Sequence, residues 1–262
     1  MELQRRVGDL KQRGLGLAAI SYDSAATLKG FGDSRRITFP MLSDSGSAII
    51  RRFGLLNTTI EPGQPTYGIP FPGTFIVDRK GVVRSRHFEE AYQERNTVAS
   101  LLVRQGVSPF GPLLTAETPH LTMTAAVSDE EVAPGTRLSL VFDITPRRGM
   151  HVYAPGKHTY RVVRFTLDSH RWLRAHPPVY PPSEIYIFQP LDERVEVYQK
   201  PFRLVQDVTV LATREVQKQL AGQSSIALSG RFEYQACDDK VCYMPQSVPV
   251  KWTLPLKPLD RQ

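Results

Sequence analysis

From Leu121 to Leu254 the apolar residues recur at every second position, and this rhythm constrains the fold more than any other feature of the chain. Leu121, Met123, Ala125 and Val127 form one such run. Leu138, Leu140, Phe142 and Ile144 form another, as do Val163, Phe165 and Leu167, then Phe202, Leu204, Val208 and Val210. Ile226 and Leu228 lead into Phe232, Tyr234 and Ala236, and Val248, Val250, Trp252 and Leu254 close the series. Side chains two apart share one face of a strand, so each run is a half-buried strand. With proline and glycine between the runs, the pattern predicts an all-β sandwich of roughly seven to nine short strands. Thr213 to Leu220 stands apart, as a short helix or a polar loop.

The first hundred residues have a different pattern. Leu3, Val7 and Leu10, interleaved with Glu2, Arg5, Arg6, Asp9 and Lys11, make an amphipathic helix ended by Gly14. Leu17 to Tyr22 has the apolar run of a strand buried on both faces. Ser24 is placed to cap a helix over Ala25 to Phe31. Phe39 to Asp44, a helix from about Gly46 to Phe53 and a proline- and glycine-rich loop from Glu61 to Gly73 follow. Strands Thr74–Asp78 and Val82–Arg86 flank the turn Arg79-Lys80-Gly81, and a closing helix is expected over Tyr92–Arg104. Alternating helices and apolar strands predict an α/β domain. Ser108 to Pro119 has the composition of a linker. The expected organisation is therefore residues 1–107, a linker 108–119 and a sandwich 120–262.

A chain of 262 residues has room for two such cores without covalent staples. The formal charge of +7 is spread over short pairs such as Arg35-Arg36, Arg51-Arg52 and Arg147-Arg148. No long basic block with interleaved aromatics is present, so a solvated basic surface is expected and nucleic acid is not an expected partner. No apolar run approaches membrane-spanning length, and the first residues lack a signal-peptide core. The six histidines have no tight ligand spacing with the cysteines, so neither a metal site nor a cofactor is expected.

The two cysteines, Cys237 and Cys242, lie in FEYQACDDKVCYMPQSVP, Phe232 to Pro249. Asp238, Asp239 and Lys240 between them are turn formers. If the chain reverses there, the pair faces across a hairpin at about the 4.5 to 5.5 Å Cα separation of directly opposed antiparallel residues, which suits a disulfide. The acidic neighbours disfavour a thiolate and Lys240 favours one, so the acidity of either thiol stays open.

The phrases LAAISYDSAATLKGF, ITFPMLSDSGSAIIRRFGLLN and FPGTFIVDRKGVVRSRHFE, in this order, resemble the peroxiredoxins of the alkyl hydroperoxide reductase and thiol-specific antioxidant type. The resemblance implies a thioredoxin-like fold. It also implies a peroxidatic cysteine at the N-terminal end of the helix preceding the first phrase, yet Met1 to Gly106 has no cysteine. The arginine that many members place before the GTF phrase is Pro72 here. The domain is accordingly expected to be an incomplete thioredoxin-like one, without peroxidase activity. Either upstream sequence is missing or the module is a degenerate scaffold, and the uncapped helix start favours missing sequence.

GMHVYAPG, YPPSEIYIFQPLDERVEVYQKPFRLVQDVTV and FEYQACDDKVCYMPQSVPVKWTLP resemble the N-terminal domain of the thiol:disulfide interchange protein DsbD, over His120 to the C-terminus. That resemblance implies an immunoglobulin-like sandwich in the periplasm that relays electrons by dithiol–disulfide exchange. Cys237 and Cys242 would then be the redox pair, with Cys242 exchanging and Cys237 resolving. Partners would be other thiol/disulfide proteins, a membrane-embedded DsbD-type reductase among them. A shielding cap loop would correspond to Phe188–Glu193, placing Asp192 and Glu193 to shift protons near the thiols; a plain polar loop fits equally well. Tyr153 and Tyr234 line the same edge or serve as core tyrosines. Three functions follow: thiol:disulfide interchange, a secreted binding module with a structural disulfide, and an antioxidant peroxidase in a longer form of the chain.

Overall fold

The structure, a computed structural model, describes residues 2–88, 94–188 and 193–257. It forms two compact units, residues 1–92 and 93–262.

In the first unit, α1 (Glu2–Arg5) and α2 (Val7–Gln12) divide the expected amphipathic helix at Arg6, with Val7 and Leu10 buried. β1 (Ala19–Ser21) pairs in parallel with β2 (Met41–Ser43). Between them α3 (Ala25–Arg35) starts where expected, because Ser24 accepts the Thr27 amide, and runs a turn past Phe31 to Arg36 in the left-handed conformation. α4 (Ala48–Arg52) follows, its entry held by Asp44, which accepts the Ala48 and Ile50 amides. β3 (Gly73–Val77) and β4 (Val83–Phe88) form the expected hairpin. One expectation is corrected here. The strand at Leu17–Tyr22 is not buried on both faces: among the described residues β1 pairs with β2 alone, and Ile20 is 42% exposed.

The second unit begins with β5 (Arg95–Asn96) and α5 (Val98–Val103). β6 (Leu113–Glu117), β7 (Leu121–Val127), β8 (Thr136–Pro146), β9 (His151–Tyr153) and β10 (Arg164–Leu167) follow. Then come β11 (Leu173–Ala175), β12 (Glu184–Phe188), β13 (Glu193–Tyr198), β14 (Phe202–Val210), α6 (Arg214–Leu220), β15 (Ser225–Tyr234), β16 (Ala236–Cys237) and β17 (Gln246–Pro255). Thr213 to Leu220 resolves as helix, because the Thr213 hydroxyl accepts the Val216 amide.

One sheet has the order β11-β14-β8-β7-β6, with β5 parallel to β8, and a second has β10-β15-β17. They share one core. Leu138, Leu140, Phe142, Leu204 and Val208 on one side meet Phe165, Leu228, Phe232, Val250 and Trp252 on the other. Phe142 lies at its centre, with ring centroids 4.9 Å from Phe165 and 5.4 Å from Phe232. Burial of these alternating positions is what fixes the registers, since a one-residue slip would turn every one of them to solvent. The α/β-plus-all-β fold class, with the sandwich second, is the one read from the sequence.

Two segments belong elsewhere than expected. The closing helix over Tyr92–Arg104 is shorter, starting at Val98, and it packs on β8 of the sandwich unit. All six of its residues are buried. Thr97 caps it by accepting the Ser100 amide and donates its own proton to Asp129 of the same unit. The stretch Ser108–Pro119, expected as a linker, contains β6, which pairs with β7 from Leu113↔Ala126 to Glu117↔Thr122. No helix among the described residues is long and apolar enough to cross a membrane.

Candidate functional site

A third, four-stranded sheet of order β12-β13-β9-β16 carries the cysteines. β15 pairs with β17 as far as Tyr234↔Gln246; the chain then changes sheets at Gln235, so that Ala236 and Cys237 pair with Val152 and His151 of β9. Gln235 pins this crossover, donating to the Tyr243 carbonyl and accepting the Arg161 amide. Directly opposed residues share a face. Tyr186, Val195, Val197, Tyr153, His151 and Cys237 therefore lie on one side of the sheet. Tyr153, Val195, Val197 and Cys237 form a small core of their own there, separate from the sandwich core, with Tyr160 and Tyr186 packed against it.

Cys237 and Cys242 are joined by a disulfide, with Cα atoms 4.1 Å apart, slightly closer than the opposed pair expected from the turn. The turn itself is built by Asp238. One carboxylate oxygen accepts the Lys240 and Val241 amides and the other accepts the Tyr243 hydroxyl. These bonds hold the Asp238 carboxyl below its ordinary range, the two amides contributing most. The Asp238 amide donates to the Val241 carbonyl and the Tyr243 amide to the Ala236 carbonyl, so the loop is closed by backbone as well as sulfur.

The two cysteines are unlike. Cys237 is 1% exposed. Cys242 is exposed, beside Val241 and Met244, which are 51% and 78% exposed. The Tyr153 hydroxyl lies 3.0 Å from Cys237 Sγ and 3.4 Å from Cys242 Sγ. Tyr160 is brought back over Tyr153 by the loop after β9, which closes where the Val163 amide donates to the Tyr153 carbonyl. Gly156 in that loop lies against the Glu196 side chain, whose carboxylate a Cβ would have to displace. The two tyrosine rings stack 4.1 Å apart and 7° from parallel, and the Tyr160 hydroxyl donates to Glu193 Oε2 at 2.8 Å. Burial first, then Tyr160 and Glu193, hold the Tyr153 phenol protonated far above its usual range. His151 packs 4.5 Å from Tyr186 and 5.5 Å from Tyr153; burial lowers its pKa, against the pull of Asp238.

Of the residues singled out in the sequence, the structure thus gathers Cys237, Cys242, Tyr153 and, through Tyr160, Glu193. Phe188 ends β12 opposite Glu193. Asp192 lies outside the described residues. Tyr234 is fully buried in the sandwich core and donates its hydroxyl to Thr118, with His120 3.5 Å away. Tyr160, Tyr186, His151 and Tyr243 were not anticipated. The period-two rule alone would have found His151, two positions from Tyr153. Tyr160 sits in an irregular loop, where no periodicity points to it.

Comparison with known proteins bears on the first unit of the chain. Of solved structures, the N-terminal periplasmic domain of ScsB from Proteus mirabilis aligns with a TM-score of 0.34 and 14% identity, covering 55% of this chain and 49% of that one. That likeness is too slight to carry any argument. Alkyl hydroperoxide reductase C of Ferdinandcohnia aciditolerans is 33% identical over 88 residues, which are 32% of this chain and 48% of that protein. Chloroplastic peroxiredoxin Q of Triticum aestivum is 28% identical over 97 residues, 37% of this chain and 42% of that protein. The chain thus spans about half the length of these relatives or less. The family model that matches is that of AhpC/TSA, over residues 1–86, so it is the first unit, without a cysteine, that is similar to this family.

Proposed function

We propose that this chain performs thiol–disulfide exchange at the Cys237–Cys242 cystine. The observation that carries this reading is the asymmetry of the pair: an exposed Cys242 joined to a buried Cys237 whose sulfur has a phenol hydroxyl 3.0 Å away. A thiolate of a dithiol partner attacks Sγ of Cys242, the exposed residue of the pair. The Sγ–Sγ bond breaks, a partner–Cys242 disulfide forms, and Cys237 leaves with the electron pair as a thiolate. Tyr153, kept protonated, donates a hydrogen bond to that thiolate, a charge-assisted bond stronger than any it makes to the intact cystine. The partner's second thiolate then attacks its own half of the mixed disulfide and releases Cys242. The partner is oxidised by two electrons, the cystine is reduced by two, and water supplies the thiol protons.

A purely structural disulfide is the competing reading, and the loop argues against it. Six hydrogen bonds already close it: those of Asp238, the Tyr243 amide and Gln235. A crosslink spanning a sequence separation of 5 removes little chain entropy, on the order of 2 kcal/mol. By its resemblance to the DsbD N-terminal domain, the sandwich exchanges electrons with other thiol/disulfide proteins, including a membrane-embedded reductase, and works outside the cytoplasm. Peroxidase activity is not expected, since the segment similar to AhpC/TSA offers no thiol.

The deciding measurement is equilibration of the full chain with glutathione redox buffers. The pair is expected to titrate within their range; a pair that stays oxidised, as structural disulfides below about −300 mV do, would overturn the reading. Cys242→Ser is expected to abolish disulfide reduction by dithiols altogether, whereas residual turnover would place the chemistry elsewhere.

A further inference from the structure

None of the six hydrogen bonds that close the cystine loop involves a sulfur. Asp238, the residue after Cys237, accepts the Lys240 and Val241 amides on Oδ1. Its Oδ2 accepts the hydroxyl of Tyr243, the residue after Cys242, at 2.8 Å. The side chains that follow the two cysteines are thus joined to each other. Tyr243 is also held from other sides: its amide donates to the Ala236 carbonyl and its carbonyl accepts from Gln235. Its ring lies 4.5 Å from that of His120, which is buried. The bonds from the Asp238 amide to the Val241 carbonyl and from the Tyr243 amide to the Ala236 carbonyl flank the cystine on both sides. Cys237 and Cys242 are therefore a non-hydrogen-bonded antiparallel pair, the kind in which side chains lie closest.

Breaking the Sγ–Sγ bond leaves these bonds in place, and two thiols held on one scaffold meet at an effective concentration far above that of a free thiol. We propose, resting on the exchange reading above, that Asp238 and Tyr243 are positioning residues: their brace keeps the reduced loop closed, so that Cys237 recaptures Cys242 and net reduction requires a dithiol. In the mixed disulfide the Cys237 thiolate re-attacks Cys242 Sγ. The bond from Cys242 to the partner breaks, and the partner leaves as a thiolate with the electron pair. The cystine is restored and no net electrons have passed. A monothiol meets this outcome until a second molecule collides with the mixed disulfide, so its equilibrium with the pair is reached slowly. A dithiol partner carries its second thiolate with it, closes its own disulfide in competition with Cys237, and delivers two electrons. The brace thereby selects dithiol proteins over glutathione and other monothiols.

The lifetime of the mixed disulfide reads the brace directly. The full chain is reduced with a phosphine and mixed with glutathione disulfide; Cys242 takes up one glutathione, and attack by Cys237 expels it. Acid quenching and mass spectrometry follow the glutathionylated intermediate. Tyr243→Phe removes the brace and keeps the Asp238 charge, and it should lengthen that lifetime about three- to tenfold. Asp238→Ala should lengthen it by at least as much. In both variants, cystine reduction by glutathione should speed up relative to reduction by dithiothreitol. An Asp238 that acted only through its charge would give the reverse: its removal would favour the Cys237 thiolate and shorten the lifetime, and Tyr243→Phe would change nothing. A shortened lifetime in Asp238→Ala, or an unchanged one in Tyr243→Phe, overturns the proposal.

The closed loop is also measured with no sulfur present. In a chain carrying both Cys237→Ser and Cys242→Ser, the Lys240 and Val241 amides should exchange with solvent as slowly as in wild type, and faster once Asp238→Ala is added. Exchange already at the faster rate before that addition shows an open loop and overturns the brace. A wild-type pair that does not equilibrate with glutathione overturns the exchange reading, and the two results are independent of each other. Near-ultraviolet circular dichroism identifies a variant that fails to fold; if Asp238→Ala does, Tyr243→Phe decides.

Discussion

At the scale of single residues, the cystine loop is held by one carboxylate. Asp238 takes three donors at once, from the Lys240 and Val241 amides and the Tyr243 hydroxyl. They favour its charged form, so its pKa lies below the ordinary 3.8. The sign for stability follows. The contribution of the ionised group is complete above the ordinary carboxylate range and is lost as pH falls through the lower, folded value. In two-dimensional NMR, the Lys240 and Val241 amide shifts should stay constant above about pH 5 and move with a midpoint under the unperturbed value. A midpoint at or above it would show that the three bonds do not form in solution. In Asp238→Ala the step should vanish. The cysteines and the turn between them were legible in the sequence because they flank turn formers and follow a two-residue rhythm, and Tyr153 was legible through the resemblance carried by GMHVYAPG. The Tyr160–Glu193 bond was not: it depends on a loop returning over the sheet, a contact between residues 33 apart in sequence.

Among the elements, α5 shows where sequence reading reaches its limit. Val98 to Val103 is apolar on all sides, and a helix without a polar face states that it is buried but not in which layer. Its position after an α/β pattern suggested that it closed that domain. The capping residue decides otherwise, because Thr97 binds both the Ser100 amide and the Asp129 carboxylate in a buried setting. Asp129 also takes the Ser128 hydroxyl, which in turn accepts the Ser139 amide of β8, so the cap is tied into the sheet. β6 escaped notice for a related reason. Its prolines and glycine lie just ahead of the strand, and an edge strand with exposed Leu113 and Leu114 lacks the alternation that marks a half-buried one. Thr97→Val keeps the size of the side chain and removes both bonds. It is expected to destabilise the second unit by about 1 to 2 kcal/mol in urea denaturation. Thr97→Ser should restore most of the loss, and a Thr97→Val variant within about 0.3 kcal/mol of wild type would mean that the cap is not formed.

At the scale of the whole molecule, the two units differ in how much apolar surface they bury. The sandwich core runs unbroken from Leu121 to Leu254 and is crossed by the ladder between β8 and β14, paired from Phe202↔Ile144 to Thr209↔Arg137. Among the described residues of the first unit, the buried apolar side chains are Val7, Leu10, Leu28 and Ile50, while Phe31, Leu42, Phe53 and Val77 stay exposed. Such a difference was half visible in the sequence. The alternating runs announced a large core, whereas the apolar strand of the first unit promised a burial that two short paired strands do not supply. Burial is the main favourable term in folding, so local stability should follow it. In hydrogen exchange of the full chain, amides of β8 and β14 should exchange through global opening, and those of β1 to β4 should exchange orders of magnitude sooner. The same ordering bears on function, because the cystine belongs to the sandwich unit. In urea sufficient to expose β1 to β4 but not β8, the equilibrium of Cys237–Cys242 with glutathione should stay where it is in buffer. A shift that coincides with loss of the first unit would show that the first unit takes part in the redox centre.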